Sequence, residues 1–228
     1  MAETIFKPAL IIVDLQEDFC PPNGSLAVEY GRAVIPSINH LLTLPFALKV
    51  ATKDWHPADH ISFASSHPGK NPFIDTVTIV NPLNPNETYE SRLWPDHCIQ
   101  NTPGAALVPE LDVSKINKIV EKGMRKEIEM YSAFYDPLQH PRVSDTGLAD
   151  VLRREGITDV FVVGLAFDYC VRATAEDAKR EGFKTVIVRE GTRAVDRTNW
   201  AHVDRELHSM GVNIVGVEGK EVQRVREL

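Results

Sequence analysis

A short polar stretch, residues 53–60 (KDWHPADH), places two histidines and two carboxylates directly after an apolar run. Imidazole nitrogens and carboxylate oxygens are ligands that zinc and iron accept in proteins. The side chains that offer such atoms are Asp54, His56, Asp59 and His60. The same residues would also suit a solvated loop, because ligand-like sets are common by chance. The stretch indicates a metal site only if other parts of the chain converge on it.

Three further reactive groups follow other apolar runs: Asp14, Lys122 and Cys170. Each has an ordinary structural explanation, as a turn or cap residue, a solvated lysine and a small buried hydrophobe. Cys170, however, follows a glycine-containing turn and opens a predicted helix. There the helix dipole and a nearby ammonium would favour a thiolate, so we expect a reactive sulfur. Cys20 and Cys98 lack this setting and are expected to be packing residues.

The elements that must position these groups are short strands and amphipathic helices. Six apolar, largely β-branched runs predict strands, at residues 10–13, 46–51, 116–120, 160–163, 186–188 and 214–215. Helices are predicted at about residues 31–44, 145–155, 170–181 and 198–210. Three helix-to-strand corners carry a glycine that can take the left-handed conformation, namely Gly156, Gly182 and Gly211.

Strands that alternate with helices predict an α/β fold. We expect three layers, α/β/α, in which a six-stranded, mainly parallel sheet carries helices on both faces. Ligands of such sheets bind at the carboxyl ends of the strands. Four predicted strand ends deliver an acid, a ligand-rich loop, an amine and a thiol to that edge. Their combination is harder to explain by chance than any one of them.

Residues 68–96 differ from the rest of the chain because five prolines and four asparagines interrupt them. We interpret the segment as a long ordered loop or lid. A disordered insert is the alternative, but the aromatic and aliphatic side chains in the segment need burial. We expect a single domain over residues 1–228, with this segment inside it.

The composition excludes several functional classes. The chain has 228 residues, 43% of them hydrophobic, and a formal net charge of -7. An acidic balance without a basic cluster argues against nucleic acid as a partner. The N-terminus has no secretory layout and no apolar run is long enough to span a membrane, so we expect a cytoplasmic protein without membrane contact. Three cysteines without C-x-x-C spacing predict neither a disulfide framework nor a zinc ribbon.

Five blocks of this sequence resemble the nicotinamidases, cysteine hydrolases of the isochorismatase-like superfamily, over about residues 9–217. The block at residues 94–98 (WPDHC) is the most specific, because it is similar to nicotinamidases rather than to the superfamily at large. The other blocks are residues 11–19 (IIVDLQEDF) followed by 24–26 (GSL), 53–57 (KDWHP), 122–123 (KG) with 131–134 (YSAF), and 164–171 (GLAFDYCV). Two positions depart from the pattern: Glu17 stands where asparagine is usual, and Phe167 where a small residue is common.

The resemblance implies hydrolysis of nicotinamide to nicotinate and ammonia through a cysteine thioester, a step of NAD salvage. It assigns catalysis to Asp14, Lys122 and Cys170. Asp14 would take the thiol proton, Lys122 would balance the charge of the site, and Cys170 would attack the amide. It assigns the oxyanion hole to the backbone amides of Ala166 and Cys170, with a cis peptide between Leu165 and Ala166.

The resemblance also implies one divalent metal ion, with zinc favoured over iron or manganese. Its ligands would be Asp54, His56 and His97, and His60 would be either a fourth ligand or a neighbour of the ligands. The ion would hold the ring nitrogen of the substrate. The residues expected to contact the substrate are Phe19, Trp94, Tyr131, Leu165 and Ala166. For the three aromatic residues, core packing is an equally good interpretation.

Two other functions remain open from the sequence. One is a cysteine hydrolase of the same superfamily that acts on a carbamoyl or ureido substrate, against which the block at residues 94–98 argues. The other is a catalytically silent binding domain, against which the intact acid, amine and thiol argue. For both enzyme hypotheses, the nicotinamidase and the carbamoyl or ureido hydrolase, the expected partner is a small-molecule substrate. The oligomeric state stays open, a homo-oligomer included.

Overall fold

A computed structural model describes residues 5–228. Its centre is a parallel sheet of six strands, in the order β5-β2-β1-β6-β7-β8. A separate antiparallel pair, β3 and β4, forms a second sheet. The strands are β1 (Pro8–Val13), β2 (Leu48–Asp54), β3 (Thr76–Asn81), β4 (Asn84–Arg92), β5 (Lys118–Lys122), β6 (Asp159–Leu165), β7 (Lys184–Arg193) and β8 (Asn213–Val215).

Within residues 5–228, five α-helices cover the two faces of the central sheet. They are α1 (Ile35–Thr43), α2 (Leu148–Arg154), α3 (Arg172–Arg180), α4 (Trp200–Ser209) and α5 (Lys220–Arg226). Alternate residues of β1 point to opposite faces: Leu10 and Ile12 pack with α1 and α5, whereas Ile11 and Val13 pack with α2, α3 and α4. Because both faces are covered, β1 is apolar along its whole length and fully buried. The three-layer prediction is confirmed.

The order of the strands creates a crevice beside β1. From β1 the chain builds outwards through β2 and β5, then returns to place β6 on the other side of β1. Loops that leave β1 and β6 therefore diverge at the carboxyl ends of these two neighbours. Such a switch point is where open parallel sheets bind their ligands. Asp14 follows β1, and Ala166 follows β6.

The structure corrects the prediction for residues 68–96. The segment holds the β3–β4 hairpin rather than an unbroken loop, and the two strands pair antiparallel with Ile79 opposite Tyr89. The prolines do not prevent this, because Pro82 lies in the turn and Pro85 near the start of β4 in a sheet of only two strands. Alternating burial along β3 and β4 places Ile79 in the interior.

Smaller differences concern the ends of elements. The predicted strand at 116–120 begins and ends two residues later, so that Lys122 is its last residue. The predicted helix at 170–181 begins as one wide turn with π-helical hydrogen bonding, Phe167–Val171, and becomes α-helical at Arg172. Helix α5 was not predicted. Within residues 5–228, no helix has both the length and the apolar character needed to cross a membrane.

Candidate active site

The ends of β1, β2 and β5 bring three charged side chains together. Asp14 follows β1 with a left-handed backbone (φ 47°), while Asp54 and Lys122 are the last residues of β2 and β5 and lie opposite each other in register. The turn after β6 adds Cys170. All four side chains are buried. The sheet therefore positions this cluster through backbone register rather than through flexible loops.

The Lys122 ammonium lies at the centre of the cluster. Its Nζ is 3.0 Å from Asp14 Oδ2 and donates hydrogen bonds to Asp54 Oδ1 at 2.5 Å and to Cys170 Sγ at 3.5 Å. A fourth contact, to the carbonyl oxygen of Met130, is 3.2 Å long. Although burial alone would lower the pKa of Lys122, the charges of Asp14 and Asp54 raise it well above its ordinary value. The lysine is therefore a fixed cation between two acids and a thiol.

The surroundings of the Cys170 sulfur include groups that oppose the expected thiolate. Burial raises the pKa of the Cys170 thiol well above its ordinary value; the Lys122 charge opposes this shift, and the Asp14 and Asp54 charges add to it. The sequence-based expectation considered only the helix dipole and the cation. Two carboxylates also face the sulfur, and together with burial they favour the neutral thiol over the thiolate. Its ionisation requires a nearby base to take the proton.

A second cluster combines Asp54 with His56 and His97, whose ligand atoms lie within 4.8 Å of one another. His56 Nδ1 contacts the carbonyl of Gly123 at 2.8 Å, and His97 Nδ1 contacts the carbonyl of Pro95 at 2.7 Å. A carbonyl oxygen only accepts, so both Nδ1 atoms carry a proton, and in the neutral rings both Nε2 atoms present a lone pair. These lone pairs face Asp54 Oδ2, at 3.5 Å from His56 and 4.0 Å from His97.

This donor set fits a divalent metal ion. His56 Nε2 is buried and has no hydrogen-bond partner among the described residues. An orphaned ring nitrogen of this kind is costly unless something binds it. Two imidazole nitrogens, in rings whose tautomers are already set, and one carboxylate oxygen suit zinc, iron or manganese.

His60 lies against this cluster without joining it. Its Nδ1 contacts the Ser62 hydroxyl at 2.8 Å, and its Nε2 donates to the carbonyl of Ile128 at 3.0 Å. Its ring stacks on that of His56, with centroids 4.1 Å apart. Burial lowers the pKa of His60 to about 4, so the ring is neutral. Since both ring nitrogens are already bonded, His60 is built to support His56 rather than to bind an ion.

Glycine at position 123 permits the close approach of His56. Its φ of +68° lies in the left-handed region, and a Cβ there would stand 2.4 Å from His56 Cε1 and 2.7 Å from Nδ1. No real Cβ contact is that short. The residue after the site lysine must therefore lack a side chain if His56 is to keep its place.

A cavity joins the two clusters. It is lined by Phe19, Leu26, Val28, Asp54, Trp94, His97, Glu129, Tyr131, Ala166, Tyr169, Cys170 and Val195. Four of the five residues predicted to contact substrate are among them, and the exception is Leu165, whose side chain is buried in the apolar cluster on one face of the sheet. Trp94 Nε1 donates to the Tyr131 hydroxyl at 3.0 Å, which fixes the two aromatic walls against each other. The backbone joins Leu165 to Ala166 through a cis peptide, as the resemblance implies.

Comparison with known proteins decides the family of this chain. The model of the isochorismatase domain matches residues 8–219. The chain belongs to the isochorismatase family. Among its curated relatives is the nicotinamidase of Acinetobacter baylyi, which is 42% identical over 205 residues, 90% of each chain.

Solved structures agree with this isochorismatase assignment. The yeast nicotinamidase bound to the inhibitor nicotinaldehyde superimposes with a TM-score of 0.86 at 36% identity, covering 92% of this chain and 99% of that one. The pyrazinamidase of Pyrococcus horikoshii in complex with zinc has a TM-score of 0.70 at 34% identity, with coverage of 92% and 99%. These are relatives to which this chain is similar in both sequence and fold.

Several cavity residues of this isochorismatase domain were missed by sequence reasoning. They are Leu26, Val28, Glu129, Tyr169 and Val195. Leu26 and Tyr169 lie inside blocks already recognised, so their apolar or aromatic character next to a motif was an available signal. Val28, Glu129 and Val195 had no such signal, because only the tertiary fold brings their loops to the cavity.

The two departures from the nicotinamidase pattern lie outside the isochorismatase cavity. The Glu17 carboxylate forms an ion pair with Arg32, which also binds Glu110 at 2.6 Å. Phe167 is fully buried and stacks on Trp200, with centroids 3.8 Å apart. Neither side chain is among those that line the cavity. Each has instead acquired its own partner in the surrounding structure.

Proposed function

We propose that this protein is a nicotinamidase, which hydrolyses the amide bond of nicotinamide to give nicotinate and ammonia and so serves NAD salvage. The observation that carries the proposal is one cavity whose lining includes the Cys170 thiol together with Asp54 and His97 of the metal-ligand set. Behind the thiol lies the buried Lys122 ammonium, which also pairs with Asp14. A flat heteroaromatic amide would lie between the thiol and these ligands. The named relatives act on this substrate class.

Catalysis would begin with a proton transfer from Cys170 to Asp14. The neutral thiol is a weak nucleophile and needs a base to take its proton. Asp14 is suited to this role, because its carboxylate and the Cys170 sulfur both contact the Lys122 ammonium. As the proton leaves, the sulfur becomes negative beside that ammonium, which stabilises the charge. The sulfur attacks the amide carbon, Asp14 returns the proton to the departing ammonia, and water hydrolyses the thioester.

The remaining residues would bind and orient the substrate. The backbone amides of Ala166 and Cys170 would donate to the oxyanion, and Phe19, Trp94 and Tyr131 would enclose the ring. A divalent ion, when bound to Asp54, His56 and His97, would supply a Lewis acid for the ring nitrogen. These three residues hold the lone pairs that such an ion needs. A ring held beside Asp54 and His97 would share the cavity with Cys170, so its amide would be able to reach the sulfur.

Ammonia release by the purified protein tests the proposal. Nicotinamide and pyrazinamide should be hydrolysed, whereas benzamide, which lacks a ring nitrogen, should be a poor substrate. Carbamoyl and ureido compounds serve as the competing class. Preference for a ureido substrate over nicotinamide would show that the chain is a different cysteine hydrolase of its family, and no turnover of any amide would favour a silent binding domain.

The pH profile should report the titration of Asp14. Burial raises the pKa of this carboxyl to about 6, although the Lys122 charge opposes the shift. Asp14 must be ionised to accept a proton, so kcat/KM should fall on the acid side of about pH 6 and level off above it. Bound metal must be measured at each pH, because histidine ligands also take up protons in acid. An acid limb that follows metal loss alone would contradict this assignment.

A further inference from the structure

The two oxygens of Asp54 serve two different positions. Oδ2 faces His56 and His97, whereas Oδ1 accepts the hydrogen bond from Lys122. The carboxylate therefore lies between the two histidine ligands on one side and the Lys122 ammonium on the other. A carboxylate that joins two cations in this way is typical of sites with two metal ions, about 3.5–4 Å apart.

The side chains around the Lys122 ammonium are of the kinds that bind metal ions. Asp14, Asp54 and Cys170 each offer one ligand atom, and these atoms lie within 4.8 Å of one another, all buried. Nζ lies 3.0 Å from Asp14, 2.5 Å from Asp54 and 3.5 Å from the sulfur. The lysine thus fills the space among two carboxylates and a thiol.

Asp14 shows that this space is built for a cation. Its Oδ1 accepts from the Thr52 hydroxyl at 2.6 Å. Its Oδ2 is buried and accepts no well-formed hydrogen bond within residues 5–228; its close polar neighbour is the ammonium. Without Lys122, this oxygen would be an unpaired charge in the interior, next to a second carboxylate. A cation at this position removes that cost without protonation of either acid.

We propose that the Lys122 ammonium takes the place of a second metal ion, bridged by Asp54 to the first, and keeps divalent cations off the Cys170 sulfur. A set of two carboxylates and one thiolate binds zinc or cadmium, which accept both oxygen and sulfur. An ion there would use the sulfur lone pair that attacks the amide. A tethered ammonium supplies the positive charge without forming a bond to sulfur. The inference rests on the metal site of the proposed function but not on its reaction.

Removal of the ammonium should therefore create a second metal site. We expect wild-type protein to bind one zinc ion per chain, and Lys122→Ala to bind two, as measured by equilibrium dialysis. With cadmium, Lys122→Ala should show the ultraviolet charge-transfer band of a cadmium–thiolate bond, and the wild type should not. The double variant with Cys170→Ala should lose the band. Lys126→Ala is the matched control, because this lysine is exposed and pairs with Asp59, so it should bind one ion without a band.

The outcomes separate the proposal from a purely structural role of Lys122. One ion per chain in Lys122→Ala, or a second ion without the thiolate band, would overturn it, as would a band in the wild type. Lys122→Ser is a second variant in case alanine leaves the fold too weak. If both variants are unfolded without metal, cadmium should restore the folded state together with the band, and failure to do so counts against the proposal. Nicotinamide hydrolysis by the wild type is not a readout, so failure of the proposed function would be seen separately.

Discussion

Replacement of Cys170 by alanine is expected to lower kcat for nicotinamide by about 10⁴-fold or more, since removing a nucleophile leaves only binding and oxyanion stabilisation. The sulfur lines the cavity and receives a hydrogen bond from Lys122. Within residues 5–228, no other cysteine lines this cavity. Although the Cys170 side chain is only 6% exposed, the change removes a single sulfur atom, so the fold should tolerate it.

Cys20→Ala is the matched control for this result. Cys20 is also buried and free, but burial raises its pKa to about 12 and it packs in the apolar cluster beside α1. Its loss should leave kcat near the wild-type value while changing stability by a similar small amount. Bound metal and melting temperature should be measured for both variants. Ammonia release that persists in Cys170→Ala with unchanged metal content would remove the cysteine mechanism.

The acid, the amine, the thiol and most of the metal ligands were predictable because they follow strand ends, which are local features of the sequence. An apolar run followed by Asp14 or Asp54 marks the carboxyl edge of a strand, and a parallel sheet places all such edges together. His97 is different, since nothing local connects it with β2. It was found through the resemblance of residues 94–98, and the structure places its Nε2 4.0 Å from Asp54.

The cavity residues and the hairpin that were not predicted depend on contacts between segments that are distant in the sequence. Val28, Glu129 and Val195 reach the cavity from three loops that share no motif. The hairpin β3–β4 was hidden by its prolines, because proline counts against a central strand but not against the turn and edge of a two-stranded sheet. Periodicity alone does not tell how many neighbours a strand has.

The protonation state of Cys170 shows the same limit for electrostatics. The sequence indicates a helix start and a nearby lysine, and both favour a thiolate. The structure adds burial and two carboxylates, and these raise the pKa of the thiol. The sign of the shift thus depends on the balance of charges within a few ångströms of the sulfur. That balance follows from the register of β2 with β5, which places Asp54 opposite Lys122.

Gly123→Ala is expected to lower metal affinity by about 100-fold, since residues that orient metal ligands commonly contribute effects of this size. The new Cβ would lie 2.4 Å from Cε1 of His56, so the ring must move. Movement would also break the 2.8 Å hydrogen bond that holds the proton on Nδ1 and turns Nε2 towards Asp54. Nicotinamide hydrolysis should fall in parallel and recover partly at high metal concentration. Competition with a chromogenic chelator measures the affinity.

Gly69→Ala separates this collision from backbone strain. Gly69 has a similar positive φ of +78°, but no atom lies within 4 Å of its hypothetical Cβ. Both variants must hold an alanine in the left-handed region, at about 1–2 kcal/mol each. Only Gly123→Ala should also lose metal, because only there does the methyl group meet a ligand ring. Equal metal affinity in the two variants would mean that His56 is not a ligand, and the ion would then have to be held by other residues.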